Sequence, residues 1–214
     1  MIVVLKEVRK VRLSERFLSI QGEPNPIGAL AYFIRLSECN LQCPWCDTKE
    51  LIDKVFEELS PALLSEIIEP YQTIVITGGE PLLQIDDIVK LVGLNHNKSF
   101  YIETNGTLDC LPLVKYKNVW FNVSPKPQTN YHIHKSFDFT DRKLFKFVLN
   151  PNEIEKDPTE LYMILSKFPK EFIYLMPLTS QDSDIIEDHK KLAEIAIRNH
   201  VSLAPRLHIL FKFK

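Results

Sequence analysis

Short apolar segments that end in polar motifs constrain the fold of this chain most strongly. Six segments are predicted to be strands, because each is rich in β-branched or aromatic residues and is bounded by turn-forming residues. They span residues 29–36, 73–77, 99–103, 119–123, 143–149 and 172–176. Helical patterns lie between several of them, which favours parallel strands covered by helices.

Four segments carry helical signals. Ser60 followed by Pro61 is typical of a helix N-terminus, and apolar residues then recur at helical spacing up to Ile68. Residues 84–94 and 158–168 are predicted to be further helices. Residues 183–200 are predicted to form a long amphipathic helix. Its apolar face would contain Ile185, Ile186, His189, Leu192, Ile195 and Ala196.

Polar motifs directly follow five of the six predicted strands. They are the cysteine-rich segment 39–46 and residues 77–80, 103–106, 124–126 and 176–179. The carboxyl ends of parallel strands meet at one edge or mouth of a sheet, so these motifs should form one site. Contributions from so many strands fit a barrel better than an open doubly wound sheet with one switch point. We therefore predict an α/β fold, a partial TIM-like barrel of about six parallel strands with a reduced set of helices.

Three cysteines, Cys39, Cys43 and Cys46, lie within eight residues at CxxxCxxC spacing. Structural zinc requires four ligands, and no second cysteine pair accompanies these three. Four-iron clusters are normally held by four thiolates, so three on one loop predict an iron open to a small-molecule ligand. The alternative is a group of buried thiols without a metal.

Composition limits the remaining possibilities. The 214 residues suit one domain, and a net charge of −2 gives no general field for nucleic acid. No apolar run is long enough to span a membrane, and Lys6 interrupts the first apolar residues too early for a signal peptide. Four cysteines, three of them within eight residues, do not resemble a secreted disulfide framework. We expect a cytoplasmic protein that contacts neither membranes nor nucleic acid directly.

Each strand-end motif can be interpreted either as part of a ligand-binding site or as an ordinary turn or loop. Gly78 and Gly79 would let a backbone approach a ligand, or would simply form a turn. Glu80 supplies an anion that can bind an ammonium group. Residues 124–126 combine a hydroxyl and a cation beside a proline, or form a solvated loop. The fourth cysteine, Cys110, lies between apolar residues and is most simply a small buried hydrophobe.

Taken together, the motifs resemble those of a known enzyme superfamily. CxxxCxxC followed by Gly-Gly-Glu-Pro after the next strand is similar to the radical S-adenosylmethionine (SAM) superfamily. More narrowly, the chain resembles the 7-carboxy-7-deazaguanine synthase family. The motifs that carry this resemblance, in order, are Ser19-Ile-Gln-Gly-Glu23, Phe33-Ile-Arg35, Cys46-Asp-Thr48, Thr77-Gly-Gly-Glu-Pro81, Glu103-Thr-Asn-Gly-Thr107, Val123-Ser-Pro-Lys126 and Lys146-Phe-Val148.

The resemblance implies a reaction and its cofactors. The family converts 6-carboxy-5,6,7,8-tetrahydropterin into 7-carboxy-7-deazaguanine with loss of ammonia, on the route to queuosine and other deazaguanines. It uses a 4Fe-4S cluster, SAM and Mg²⁺. The radical reaction depends on these cofactors, and the protein binds and orients them. Further implications are a flavodoxin- or ferredoxin-type reductant and a homodimer.

The resemblance also implies roles for individual residues. Cys39, Cys43 and Cys46 would ligate the cluster, and Thr48 would bind Mg²⁺. The SAM contacts would be Trp45, Asp47, Gly78, Gly79, Glu80, Ser124, Pro125, Lys126, Met176, Pro177, Leu178 and Thr179. The substrate contacts would be Ile20, Gln21, Gly22, Glu23, Arg35 and Thr77. Arg35 can grip a carboxylate with two parallel hydrogen bonds, whereas its plain interpretation is a strand-end salt bridge.

Some points depart from the family pattern or stay open. The polar contacts of residues 176–181 do not align clearly, and the C-terminal residues 206–214 form an unusual apolar and basic run. We expect one domain, with an extension over residues 1–28 that carries a substrate-contacting loop, a barrel core over 29–200 and a C-terminal segment over 201–214. Alternative functions are a glycyl-radical-type activating enzyme, a radical SAM enzyme with another substrate, and an iron-sulfur electron carrier without SAM chemistry.

Overall fold

The computed structural model describes residues 10–52, 54–178 and 184–213, and its strands form one sheet. Nine strands make up this sheet in the described residues. They are β1 (Val11–Ile20), β2 (Leu30–Leu36), β3 (Glu57–Leu59), β4 (Thr73–Gly78), β5 (Ser99–Thr104), β6 (Val119–Val123), β7 (Lys143–Leu149), β8 (Ile173–Pro177) and β9 (Ser202–Leu203).

The strand order is β3-β1-β2-β4-β5-β6-β7-β8-β9, and β2 and β4 to β9 are parallel. All six predicted strands are present as β2 and β4 to β8, with bounds within one residue of those expected. The parallel strands follow one another in sequence order with no reversal. A doubly wound sheet reverses its order at a switch point, so this order is that of an opened barrel.

Two strands near the N-terminus, β1 and β3, were not predicted from the sequence pattern. β1 pairs antiparallel with β2 on one side and with β3 on the other. Its pairing register shifts between Leu13 and Glu15, and this irregularity breaks the strict alternation by which a strand is recognised. The prediction of an extension over residues 1–28 therefore missed a ten-residue strand of the main sheet. The two-residue β9 also lies beyond the predicted core.

The described helices are α1 (Pro61–Ile67), α2 (Ile85–Leu94), α3 (Leu111–Val114), α4 (Pro151–Lys156), α5 (Thr159–Lys167), α6 (Ile185–Asn199) and α7 (Leu207–Leu210). Ser60 caps α1 as expected, because its side chain accepts a hydrogen bond from the Leu63 backbone. The predicted helix 84–94 is preceded by a 3-10 turn, Pro81–Gln84, and begins one residue later.

Helix α6 confirms the long amphipathic helix, with one error in its apolar face. His189, Leu192, Ile195 and Ala196 are buried, whereas Ile186 is 74% exposed. The helix packs on β8 and β9, and the core contains residues from both the sheet and the helices. No helix in the described part of the chain is long and apolar enough to cross a bilayer.

Candidate active site

A cavity of about 550 Å³ opens at the carboxyl ends of the parallel strands. Strands β4 to β8 each place at least one residue at or near their carboxyl ends on its wall: Thr77 and Gly78, Thr104, Ser124, Val148 and Met176. The cysteine loop that follows β2 forms another part of the wall. The polar strand-end motifs therefore converge as the sequence predicts, and the volume suits a small molecule with its cofactor.

The three clustered cysteines all line this cavity and are free thiols. Cys39 accepts a hydrogen bond from the Leu41 backbone at 3.4 Å, and Cys43 from Gln128 Nε2 at 2.8 Å. Burial raises the pKa of Cys39, and the nearby Glu80 carboxylate raises it further. Bound iron would stabilise this thiolate.

The donor set fits a cluster better than a single ion. In residues 10–52, 54–178 and 184–213, no three His, Cys, Asp or Glu side chains converge on a point that could hold one metal ion. The thiols of an iron-sulfur cluster bind different irons, so they need not meet at one point. Cys110 is fully buried away from the cavity, and burial raises its pKa to about 11. Three thiols and no fourth are thus available at the site.

Gly78 and Gly79 line the cavity, and both also pack closely against neighbouring backbone. Gly78 has φ +132°, a conformation that other residues rarely adopt, and a Cβ there would collide with the Leu36 backbone. A Cβ on Gly79 would collide with the backbone of Glu38. Gly78 thus allows a close approach to the β2 backbone and Gly79 to the loop that carries Cys39, while the predicted approach to a ligand stays a prediction.

Glu80 does not line the cavity, contrary to its predicted contact with the SAM ammonium. The side chain is fully buried, and its oxygens accept hydrogen bonds from Thr104 Oγ1 and Asn105 N at 2.7 Å and from Leu82 N at 2.9 Å. Burial raises the pKa of Glu80, although these donors oppose the shift. In this conformation the carboxylate fixes the turns after β4 and β5 and lies behind the residues that line the cavity.

A buried charge group forms the floor of the cavity. The Lys146 ammonium, with a side chain only 8% exposed, contacts Glu23 and lies 3.0 Å from Glu103 Oε2. Burial alone would raise the pKa of Glu23, but Lys146 lowers it to about 2. Gln21 Nε2 and Asn122 Nδ2 donate to Glu103 Oε1 at 3.2 and 2.7 Å. The loop that carries the predicted substrate contacts Gln21, Gly22 and Glu23, here called the substrate loop, is thus tied to β5, β6 and β7.

The remaining predicted substrate and magnesium residues also reach the cavity. Ile20, Gln21, Gly22, Glu23, Arg35, Thr77 and Thr48 all line it. Arg35 Nε donates to Glu15 Oε1 at 2.8 Å, so the strand-end salt bridge is present in the same side chain that faces the cavity. Thr48 Oγ1 lies 3.6 Å from Cys46 Sγ, which places the hydroxyl beside the cysteines.

The predicted SAM residues divide into two groups. Trp45, Asp47, Ser124, Lys126, Met176 and Leu178 line the cavity together with the two glycines. Lys126 Nζ donates to Ser124 Oγ at 2.9 Å, and burial lowers the pKa of Lys126, as does the neighbouring Lys146. Pro125 and Pro177 do not line the cavity. Thr179 lies outside the described residues.

Sequence reasoning gave no individual role to four residues that line the cavity, Glu103, Lys146, Arg206 and His208. Of these, only Glu103 belongs to a strand-end motif that was expected at the site. The sequence did contain a signal for Lys146, because this lysine interrupts the apolar run 144–149 of β7 and therefore needs buried partners. Arg206 and His208 reach the cavity through the fold of the C-terminal segment, and no local pattern indicates that placement.

Comparisons with known proteins agree with this geometry. Residues 33–137 match the family model of the radical SAM superfamily. A 7-carboxy-7-deazaguanine synthase of Hyperthermus butylicus is 34% identical and the alignment covers 94% of this chain and 92% of that protein. The synthase of Pyrobaculum aerophilum is 30% identical, with 94% of each chain covered. The crystal structure of QueE from Escherichia coli matches with a TM-score of 0.69 and 27% identity, covering 93% of this chain and 95% of that one.

Proposed function

Because this chain belongs to the 7-carboxy-7-deazaguanine synthase family of the radical SAM superfamily, we infer that it is a lyase that converts 6-carboxy-5,6,7,8-tetrahydropterin into 7-carboxy-7-deazaguanine with release of ammonia. The observation that carries this conclusion is the convergence of the family's motifs on one cavity, in a chain similar to these synthases over 94% of its length. The predicted partial barrel agrees with the sequential strand order and with the similarity to QueE.

The cavity provides the ligands that the radical chemistry requires. We propose that Cys39, Cys43 and Cys46 would hold the 4Fe-4S cluster. When bound, the reduced cluster and SAM would supply the radical chemistry that the ring contraction requires. The chain's part is to bind, orient and exclude water.

For SAM, we propose that the cavity edge formed by Gly79, Ser124 and Lys126 binds the polar end of the molecule. The Lys126 ammonium is the cation nearest to Ser124 and can pair with a carboxylate. Met176 and Leu178, at the end of β8, offer apolar surface for a purine ring. Glu80 acts indirectly in this proposal, since it fixes the turns on either side.

For the substrate, we propose that Arg35 binds the pterin carboxylate. Its Nε is engaged by Glu15, and a guanidinium has further donors that can form hydrogen bonds with a carboxylate. Gln21 and Glu23 would bind the ring from the loop that Lys146 and Asn122 hold in place. This preorganisation lowers the cost of ordering the loop when substrate binds.

Magnesium and the partners of the enzyme are further proposals. Thr48 would supply one hydroxyl oxygen to Mg²⁺, with substrate oxygens and water completing its shell. A flavodoxin- or ferredoxin-type protein would deliver the electron. We expect a cytoplasmic homodimer that feeds queuosine or related deazaguanine synthesis and does not itself contact nucleic acid.

The test is an anaerobic reaction of cluster-reconstituted, reduced protein with SAM and Mg²⁺. We expect 7-carboxy-7-deazaguanine when 6-carboxytetrahydropterin is present and none when it is omitted. A 5'-deoxyadenosine signal with no deazaguanine would contradict the substrate and retain the radical chemistry. Absence of both deoxyadenosine and deazaguanine under every condition would contradict the radical SAM assignment. Cys110→Ala is a matched cysteine control, because Cys110 lies outside the cavity.

A further inference from the structure

The C-terminal helix α7 lies directly on the predicted substrate loop. Leu207 N donates to Gly22 O at 2.8 Å. A Cβ on Gly22 would lie 2.5 Å from His208 Nδ1 and 2.7 Å from its backbone nitrogen, so only glycine permits this close approach. Arg206, which precedes α7, and His208 within it both line the cavity.

Arg206 connects two segments that both line the cavity. Its Nη2 donates to Asp47 Oδ2 at 2.9 Å, and Asp47 directly follows the cysteine Cys46. Its Nε lies 3.9 Å from Glu23 Oε1, in the substrate loop. The Arg206 side chain is only 7% exposed, while that of Asp47 is 70% exposed. Solvent screens buried charges less than exposed ones. The Arg206–Glu23 contact is therefore screened less than the Arg206–Asp47 contact.

The backbone at Arg206 is held by the long helix α6. Arg206 N donates to His189 Nε2 at 3.2 Å, and His189 Nδ1 lies 2.6 Å from the Ile185 carbonyl oxygen. These two bonds together require a neutral His189 ring with its proton on Nδ1. Since His189 is buried in α6, it anchors Arg206 to the rigid part of the fold.

We propose that Arg206 is a positioning residue that couples the substrate loop to the cysteine loop, so that SAM cleavage proceeds efficiently only when substrate is in place. This inference rests on the proposed function. A guanidinium can contact two carboxylates at once, whereas a lysine ammonium is a point charge. A substrate that engages Glu23 alters the field at Arg206, and Arg206 transmits the change to Asp47 beside the cluster ligand. A coupling of this kind is typically worth about 5-fold or more in affinity.

The experiment compares the wild type with Arg206→Gln, Arg206→Lys and the matched control Arg198→Gln, which removes an exposed arginine on α6. The readout is the ratio of 5'-deoxyadenosine to 7-carboxy-7-deazaguanine in single reactions. We expect Arg206→Gln to raise this ratio at least about 5-fold, Arg206→Lys to give an intermediate value, and Arg198→Gln to match the wild type.

A second readout needs no cofactor. Hydrogen exchange of the cluster-free protein should show faster exchange in residues 21–29 and 46–48 of Arg206→Gln, and unchanged exchange in β5 and β6. An unchanged product ratio and unchanged exchange in Arg206→Gln would overturn the proposal. Equal loss of both products, with exchange accelerated throughout the chain, would assign Arg206 to general stability and overturn it as well.

Asp47→Asn keeps the test decisive if Arg206→Gln does not fold, because the Asp47 side chain is mostly exposed. It should raise the product ratio, and an unchanged ratio would overturn the proposal. Where both variants fold, Asp47→Asn should add nothing to the ratio of Arg206→Gln, since the two residues act through one contact. The wild-type reaction tests the proposed function separately. If the wild-type protein makes deazaguanine and Arg206→Gln has the same product ratio as the wild type, the proposed coupling is contradicted and the proposed function is retained.

Discussion

Replacement of Lys146 by methionine tests the buried charge group most directly. Methionine retains much of the apolar stem and removes the ammonium that contacts Glu23 and Glu103. Both carboxylates would then remain buried without this cation. Removing one partner of a buried ion pair typically costs about 3–5 kcal/mol.

The pKa of Glu23 gives a second estimate of the same effect. Its fall from an ordinary value of 4.5 to about 2, in which Lys146 outweighs burial and Arg206 and His208 also contribute, corresponds to a net stabilisation of about 3 kcal/mol by the ionised group at neutral pH. For a chain of this length, 3 kcal/mol lowers the melting temperature by roughly 10 °C.

The pH dependence has a definite sign. Because the pKa of Glu23 is lowered in the folded protein, its pairing stabilises the fold fully above about pH 4.5 and is lost as the pH falls toward 2. In the Lys146→Met variant, buried carboxyl groups without their cation become protonated at milder acidity. The difference in unfolding free energy between wild type and variant should therefore be largest at pH 7 and narrow below pH 5.

The assay is urea unfolding of cluster-free protein at pH 7, 5 and 4, followed by circular dichroism. Lys190→Met is the matched control, since Lys190 forms only an exposed pair with Glu187 and should change stability by less than about 0.5 kcal/mol. Adding Glu103→Gln to Lys146→Met should restore part of the loss. A difference below 1 kcal/mol at pH 7 (a threshold set well under the estimate for a buried pair), or one that widens on acidification, would refute the reasoning.

Three further outcomes follow from the site. Gly79→Ala should displace the cysteine loop and reduce iron per chain after reconstitution, whereas the helical control Gly93→Ala should keep its iron; full iron content in Gly79→Ala would contradict the close contact with Glu38. Cys43→Ala should lose the four-iron absorption and all turnover while Cys110→Ala keeps both, and an active Cys43→Ala protein would count against the cluster. Thr48→Ala should weaken the response to magnesium with the cluster intact, so an unchanged magnesium titration would exclude that role.

The central sheet was predictable because its strands are rich in β-branched and aromatic residues, and β4, β6, β7 and β8 contain runs of buried residues. The carboxyl ends of such strands meet, so the site followed from the motifs after them. Strand β1 was missed because the irregularity near Ser14 and its charged side chains break the alternation. Its Glu15 and Arg16 are paired across strands with Arg35 and Glu57, which no local pattern reveals.

Side-chain direction was harder to predict than location. Glu80 was placed near the ligand, but the turn after β4 points its carboxylate inward to Asn105 and Thr104. Two residues of the C-terminal segment, Arg206 and His208, meet the substrate loop only through tertiary packing. Their partners lie far away in sequence, so residue spacing carries no information about them.

The open barrel also has consequences for how the protein behaves at high concentration. An unclosed sheet exposes unpaired backbone groups at its two margins, and such margins are the usual starting points for intermolecular β-pairing. In the described part of the chain, these margins are β3, with three residues, and β9, with two. Strands this short offer few hydrogen-bonding groups to another chain. At these two margins, the described outermost strands therefore present no long template for aggregation.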